Sequence, residues 1–208
     1  MPHASDCDCI LLAAGLSSRM KGMKMLREID GRPLVQIAVG NALAACRRVI
    51  LVLGNEADAV RRAAESSAPG SPGPGRLVPV ENHHFRDGMF GSIQSGMREV
   101  ESEWFFVVPG DMPGITPELY EAVARESPGP DFDGDEVARA VVPYHGSTRG
   151  HPVLIHGSLI SELLAEPRSA GPMRELIARY PVRRAQIDDP AITLDVDTDA
   201  DYRRVTDA

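Results

Sequence analysis

The stretch Ile10 to Leu26, ILLAAGLSSRMKGMKML, holds the residue types that a phosphate-handling loop needs. An apolar run leads into Ala13, Ala14, Gly15, Ser17 and Ser18, then into Arg19, Lys21 and Lys24. Small side chains let the backbone approach a ligand closely, and its N–H groups can cradle phosphate oxygens. Basic side chains beyond them supply charge that stabilises a polyphosphate as it reacts. This is no Walker A loop, because no Gly-Lys-Ser/Thr follows Gly15 at the required spacing, and no G-x-G-x-x-G fingerprint occurs anywhere. On residue types alone, a Gly/Ser turn beside a solvated basic helix is the simpler account.

A second group is acidic. Asp111 follows the apolar run Trp104–Val108 within PGDMP. The carboxyl end of a parallel strand is where open α/β sheets place ligands, and a carboxylate there suits Mg²⁺ shared with substrate phosphates. A turn-forming or capping aspartate between Gly110 and Pro113 is the competing reading. Asp195 and Asp197 alternate in ITLDVDTDADY, so they share a face if that segment is extended. Thr198, Asp199 and Asp201 read instead as a helix start. His83-His84 and Arg149-Gly150-His151 match no zinc spacing, and Cys7-Asp8-Cys9 lacks a second pair. Cys7 and Cys9 are better placed as alternate residues of the first strand. Met20, Met23 and Met25 fit either an adaptable pocket or core filling.

These residues need a scaffold, and the chain alternates short β-rich runs with helical patterns. Strands are expected at Cys9–Ala13, Val49–Leu53, Leu77–Val80, Trp104–Val108 and Ala140–Pro143. Several are apolar at nearly every position, as strands covered on both faces must be. Helices are expected at Pro33–Cys46, Glu56–Glu65, Ser92–Val100 and Pro117–Arg125, with Asn55 and Thr116 as caps. Further strands at Val153–Ile155, Arg184–Ile187 and Ile192–Val196 are separated by helices near Ser158–Ala165 and Met173–Tyr180. The alternation predicts one α/β domain over residues 1–208, with a mostly parallel sheet and helices on both faces. Ser66–Gly75, SSAPGSPGPG, reads as a flexible surface loop.

Composition narrows the partners. The chain has 208 residues, 43% hydrophobic and 25% charged, enough for a sizeable core. With 22 basic and 30 acidic side chains, its net charge of −8 disfavours nucleic acid and anionic membrane as partners. The charge-free stretch Pro33 to Cys46 falls far short of the ~20 residues that span a bilayer. No secretory signal is visible at the N-terminus, and Cys7, Cys9 and Cys46 are too few for a disulfide framework, so a reducing cytoplasm is expected.

The loop LAAG-x-SSRM…K resembles the signature of nucleotidyltransferases related to the molybdenum cofactor cytidylyltransferases and guanylyltransferases. Asn82…Gly88-Met89…Gly91-Ser92, Pro109-Gly110-Asp111-Met112-Pro113, Arg149-Gly150-His151-Pro152-Val153 and Asp195-Val196-Asp197-Thr198 agree with it in order and spacing. The likeness spans residues 9 to 205. One departure is Lys21 where the family usually has glycine, with Gly22 one place later, while Lys24 keeps its spacing from Arg19. The resemblance implies a three-layer α/β/α, Rossmann-like fold of the nucleotide-diphospho-sugar transferase type. It implies transfer of a nucleotidyl group from an NTP to a phosphorylated acceptor, with release of pyrophosphate. It assigns Ala13, Ala14 and Gly15 to base and phosphate contacts, Arg19 and Lys24 to the triphosphate, and Asp111 with Asp197 to Mg²⁺. Asn82 and Ser92 become ribose or base contacts. His151 is left between a contact to substrate phosphate or acceptor and a structural role. LAAG rather than LAGG points to the CTP-using branch, with molybdopterin as acceptor and a recipient molybdoenzyme as a further partner. There Ala14 would crowd a purine. Sugar- or alcohol-phosphate nucleotidyltransferases, and a non-catalytic nucleotide-binding or cofactor-delivery protein, are the alternatives.

Overall fold

Period-two burial in the strands builds this molecule. In β1 (Asp8–Ala13), Cys9, Leu11 and Ala13 face one apolar cluster while Ile10 faces another. The computed structural model describes residues 1–16, 23–66, 75–128 and 137–206, with residues 204–206 described by their backbone alone. Ser17, Ser18, Arg19, Met20 and Lys21, and most of the Ser66–Gly75 loop, lie outside the described residues.

After β1 come a small antiparallel hairpin, β2 (Glu28–Ile29) and β3 (Arg32–Pro33), then α1 (Leu34–Ala45), β4 (Arg48–Leu53), α2 (Ala57–Glu65) and β5 (Leu77–Glu81). The chain continues through α3 (Met89–Met97), β6 (Trp104–Pro109), α4 (Pro117–Ala124), β7 (Ala140–His145) and β8 (Thr148–Arg149). It closes with β9 (Val153–His156), α5 (Ile160–Ala165), α6 (Met173–Ile177), β10 (Val182–Gln186) and α7 (Asp199–Thr206). The main sheet has the order β10-β7-β9-β6-β1-β4-β5, with β8 added to β7. The β10–β7, β6–β1, β1–β4 and β4–β5 pairs are parallel, while β9 runs antiparallel to both β6 and β7. Helices α1, α2 and α4 bury Leu34, Val60 and Tyr120 against one face; α3, α5 and α6 bury Ile93, Leu163 and Leu176 against the other. This is the expected three-layer α/β/α arrangement. Among the described residues no helix is long and apolar enough to cross a membrane.

The order places the topological switch between β1 and β6. From β1 the chain winds outward to β4 and β5, then returns to the other side of β1 as β6. Loops at the carboxyl ends of these two strands therefore diverge and leave a crevice.

Three local expectations are corrected. Ile192–Val196 is not a strand: Pro190–Thr193 forms a 3₁₀ turn, because Pro190 has no N–H to donate and Asp189 caps Ala191 N at 2.8 Å. Cys7 precedes β1 rather than alternating within it. Asn55 does not cap α2; Glu56 holds that position at φ 51°, and the Asn55 N–H donates to Ala14 O at 3.4 Å.

At the opposite end of β1, the wholly buried Asp8 ties three loops together. It accepts from Arg47 Nε (3.1 Å), Arg48 Nη2 (3.0 Å) and the Glu101 N–H (2.9 Å). Burial alone would raise its carboxyl, but Arg48, the Glu101 N–H and Arg47 hold it below its ordinary value. Asp8→Asn is therefore expected to cost about 3 kcal/mol, the lower end for breaking a buried ion pair, since both arginines keep contact with water. A folded-state value below the unfolded one gives stability that is present above the ordinary carboxylate range and lost as pH falls through the folded value. Denaturant melts of wild type and variant should converge below about pH 4.

Candidate active site

The switch-point crevice is assembled from four separated segments. β1 ends at Ala13 and the chain passes through Ala14, both buried, before exposing Gly15. A Cβ built on Gly15 would meet nothing within 4 Å, so this backbone borders open space. β6 delivers Asp111 through Gly110, where close approach demands glycine: a Cβ there would lie 2.9 Å from Leu12 O and 2.7 Å from Met25 Cε. The Gly110 N–H donates to Leu12 O at 2.9 Å, locking the two strand ends together. α3 begins at Met89 without a side-chain cap, so Gly88, Met89 and Ser92 bring a bare helix N-terminus to the same cleft.

The fourth segment is the C-terminal strap. Ile192 O accepts from the His151 N–H (2.8 Å), and the Val196 N–H donates to Asp111 O (2.9 Å). Ile192 and Val196 are buried as anchors. Arg27 pairs with Asp199 and stacks 4.1 Å over the Tyr202 ring, while the Tyr202 hydroxyl donates to Glu28 O. These contacts fix Asp197 opposite Asp111.

Lys24 closes the arrangement. Its Nζ donates to Asp111 Oδ2 at 2.6 Å and to Asp197 Oδ1 at 2.7 Å, with only 13% of its side chain exposed. Burial would lower its pKa, but the two carboxylates together raise it above the ordinary lysine value. It stays a cation at any working pH and cannot serve as a base. Asp195 adjoins this pair, its carboxyl raised by burial and then by the charges of Asp197 and Asp111. Asp111 Oδ1 is buried with no hydrogen-bond partner among the described residues.

Asn82 and Ser92 meet, but each in its own way. Ser92 lines the cleft. Asn82 is buried beside it, donating from Nδ2 to Ser92 Oγ (3.0 Å) and accepting from the His84 N–H and Arg168 Nη1, both 3.1 Å. It therefore acts on the cleft through Ser92. Arg168 was invisible in the sequence, since no spacing rule links it to Asn82.

His151 is not with Lys24. It lines an adjoining cavity of about 330 Å³, in the size range of ligand pockets, together with Arg149, Arg174 and apolar side chains including Ile93, Val153 and Ile177. Leu12, Met89 and Pro109 line both spaces, so the two are contiguous. The sequence singled out Arg149 only within the Arg149-Gly150-His151 run and gave it no role, and Arg174 carried no signal until the fold joined the two. Among the described residues, no group of three or more His, Cys, Asp or Glu is set to hold a metal alone.

The switch-point cleft thus carries Lys24 and Asp111, with Asp197 across the lysine, and a second cavity bearing Arg149 and Arg174 shares its wall. Residues 9–185 match the family model of the MobA-like NTP transferase domain, and the chain belongs to that family. It is 27% identical to the molybdenum cofactor cytidylyltransferase of Escherichia coli (strain K12), over 95% of this chain and 94% of that protein. It is 26% identical to a probable molybdenum cofactor guanylyltransferase of Bacillus cereus over 64% of this chain and 60% of that one. The crystal structure of Rv0371c from Mycobacterium tuberculosis H37Rv in complex with manganese superposes with a TM-score of 0.71, at 25% identity over 97% of this chain and 98% of that chain.

Proposed function

We propose that this nucleotidyltransferase moves CMP from CTP onto the phosphate of a molybdopterin-type acceptor. The observation that carries the transfer chemistry is the Lys24 ammonium shared between Asp111 and Asp197 at the mouth of the small-residue loop. The E. coli relative and the LAAG loop favour cytidine and the molybdenum cofactor over other pairs.

Backbone at Ala13–Gly15 and the bare start of α3 offer N–H groups to the triphosphate, whose negative charge suits a helix N-terminus. The acceptor sits in the adjoining cavity, its anionic part drawn to Arg149 and Arg174. Contiguity through Leu12, Met89 and Pro109 lets an acceptor phosphate oxygen reach the α-phosphorus in line with departing pyrophosphate. No protein nucleophile is required; the chain positions the reactants and balances charge. Lys24 supplies a permanent positive charge at the carboxylate pair, and Arg19 is assigned to the triphosphate.

The donor set fits a hard divalent cation such as Mg²⁺. Asp111 keeps a buried Oδ1 with no partner among the described residues, and Asp197 presents a second carboxylate across Lys24. With only these two side chains, most of the cation's ligands would be water and phosphate oxygens, where it would screen charge on the leaving pyrophosphate. Manganese in the Rv0371c structure supports this choice of ion class.

Base choice tests the reading. Ala14 is 5% exposed and its methyl belongs to the apolar cluster of Phe90 and Ile93, so it fixes the path of the loop rather than pushing directly on the base. A fixed loop leaves mismatched base edges unpaired, at ~1–3 kcal/mol per buried polar group. CTP is expected to exceed GTP by at least about tenfold in kcat/KM, and Ala14→Gly should narrow the gap. Equal use of both nucleotides in a pyrophosphate-release assay would reject cytidine specificity.

A further inference from the structure

Resting on the reading that the cleft takes a nucleoside triphosphate, we propose that Arg86 binds its β- and γ-phosphates, the pair that leaves as pyrophosphate. The charges around the cleft call for a cation there. Lys24 and Arg86 are the basic side chains among the described residues that line it. Lys24 already lies between the Asp111 and Asp197 carboxylates, so that corner sets one positive charge against two negative ones. Backbone N–H groups aside, a triphosphate is attracted by positive charge that the protein has not itself neutralised. Arg86 supplies such a charge. It is exposed, and no carboxylate or carbonyl among the described residues takes a hydrogen bond from it. Asp87, its neighbour in sequence, faces His84 Nδ1 at 3.8 Å instead.

The arginine stands on a firm base. Phe85–Asp87 forms a 3₁₀ turn, and the Asp87 N–H donates to His84 O at 3.0 Å. The Arg86 guanidinium carbon lies 5.3 Å over the centre of the Phe85 ring. Phe85 in turn is pressed against the end of β4, since a Cβ on Gly54 would lie 2.8 Å from both its Cβ and its Cγ. Arg86 also stands two residues before Gly88, where the bare N-terminus of α3 meets the same cleft.

In-line displacement decides which end of the nucleotide lies here. The attacking oxygen and the departing pyrophosphate stand on opposite sides of the α-phosphorus. The acceptor cavity is built in part on Val153 and Ile155 of β9, which pairs with β6 on the side away from β1. Attack from that side sends pyrophosphate toward β1 and β4, and Phe85 and Arg86 stand beside the end of β4. The planar fork of guanidinium N–H donors suits phosphate oxygens in that position. Arg86 forms and breaks no covalent bond. It holds the two phosphates, and its charge offsets the charge that grows on them as the bond to the α-phosphorus breaks.

Calorimetric titration in Mg²⁺ with CTP, CMP and inorganic pyrophosphate tests this. Arg86→Met keeps an aliphatic stem over Phe85 and removes the charge. It should weaken CTP and pyrophosphate by the same factor, about 10-fold at low salt and less at about 0.5 M salt, because the contact is exposed. Affinity for CMP and the melting temperature should match wild type. Arg86→Lys should recover most of the loss, and Arg86→Glu should deepen it. Equal weakening of CMP and CTP would move Arg86 to the nucleoside, and unchanged affinities for CTP and pyrophosphate would remove it from the site. Either result overturns the proposal and leaves the nucleotide cleft standing. A wild type that binds neither CTP nor pyrophosphate would overturn both.

Discussion

Asp111→Asn is expected to lower kcat/KM by about 10³-fold while the melting temperature stays within a few degrees. The separation follows from how Asp111 is held. Its backbone carbonyl accepts from the Val196 N–H, and Gly110 bonds to Leu12 O, so main-chain contacts that asparagine preserves secure its place. The side chain makes one hydrogen bond, to Lys24, and leaves Oδ1 buried and unpartnered among the described residues. A residue serving only as a turn former would use its carboxylate within the turn. Asparagine retains the shape and removes the charge that a divalent cation would need. CTP affinity, measured without metal, should change little. Collapse of the melting transition instead would assign Asp111 to the fold.

Lys24→Ala should lower kcat/KM by about 10²- to 10³-fold through loss of a fixed charge in a partly closed site. Its second effect has the opposite sign. Without the ammonium, Asp111 and Asp197 face one another unneutralised, with Asp195 nearby. Mn²⁺ titrated calorimetrically should therefore bind the variant more tightly than wild type, although turnover falls. Unchanged turnover would remove Lys24 from the reaction; weaker Mn²⁺ binding would show that the carboxylates are not the cation's ligands.

The cores of the strands were legible because burial on both faces writes a continuous apolar run, as in Val49–Leu53 and Trp104–Val108, and the turn residues after β1 and β6 mark where those runs stop. Thr116 and Pro117 also marked the start of α4, with the proline at the first helical position. Gly15, Lys24 and Asp111 stood out through the family motifs they sit in, since on residue types alone a Gly/Ser turn and a capping aspartate account for them as well. The partners of those residues were not legible. The segment Ile192–Val196 alternates like a strand, but Pro190 and the Asp189 cap turn it into a strap whose path is set by contacts to His151 and Asp111 far away in the chain. Local pattern records a residue's own burial and not what it lies against. Only the tertiary structure could place Asp197 across Lys24, join Arg168 to Asn82, and gather Arg149, His151 and Arg174 around one cavity, because each meeting depends on where strand order brings separate loops together.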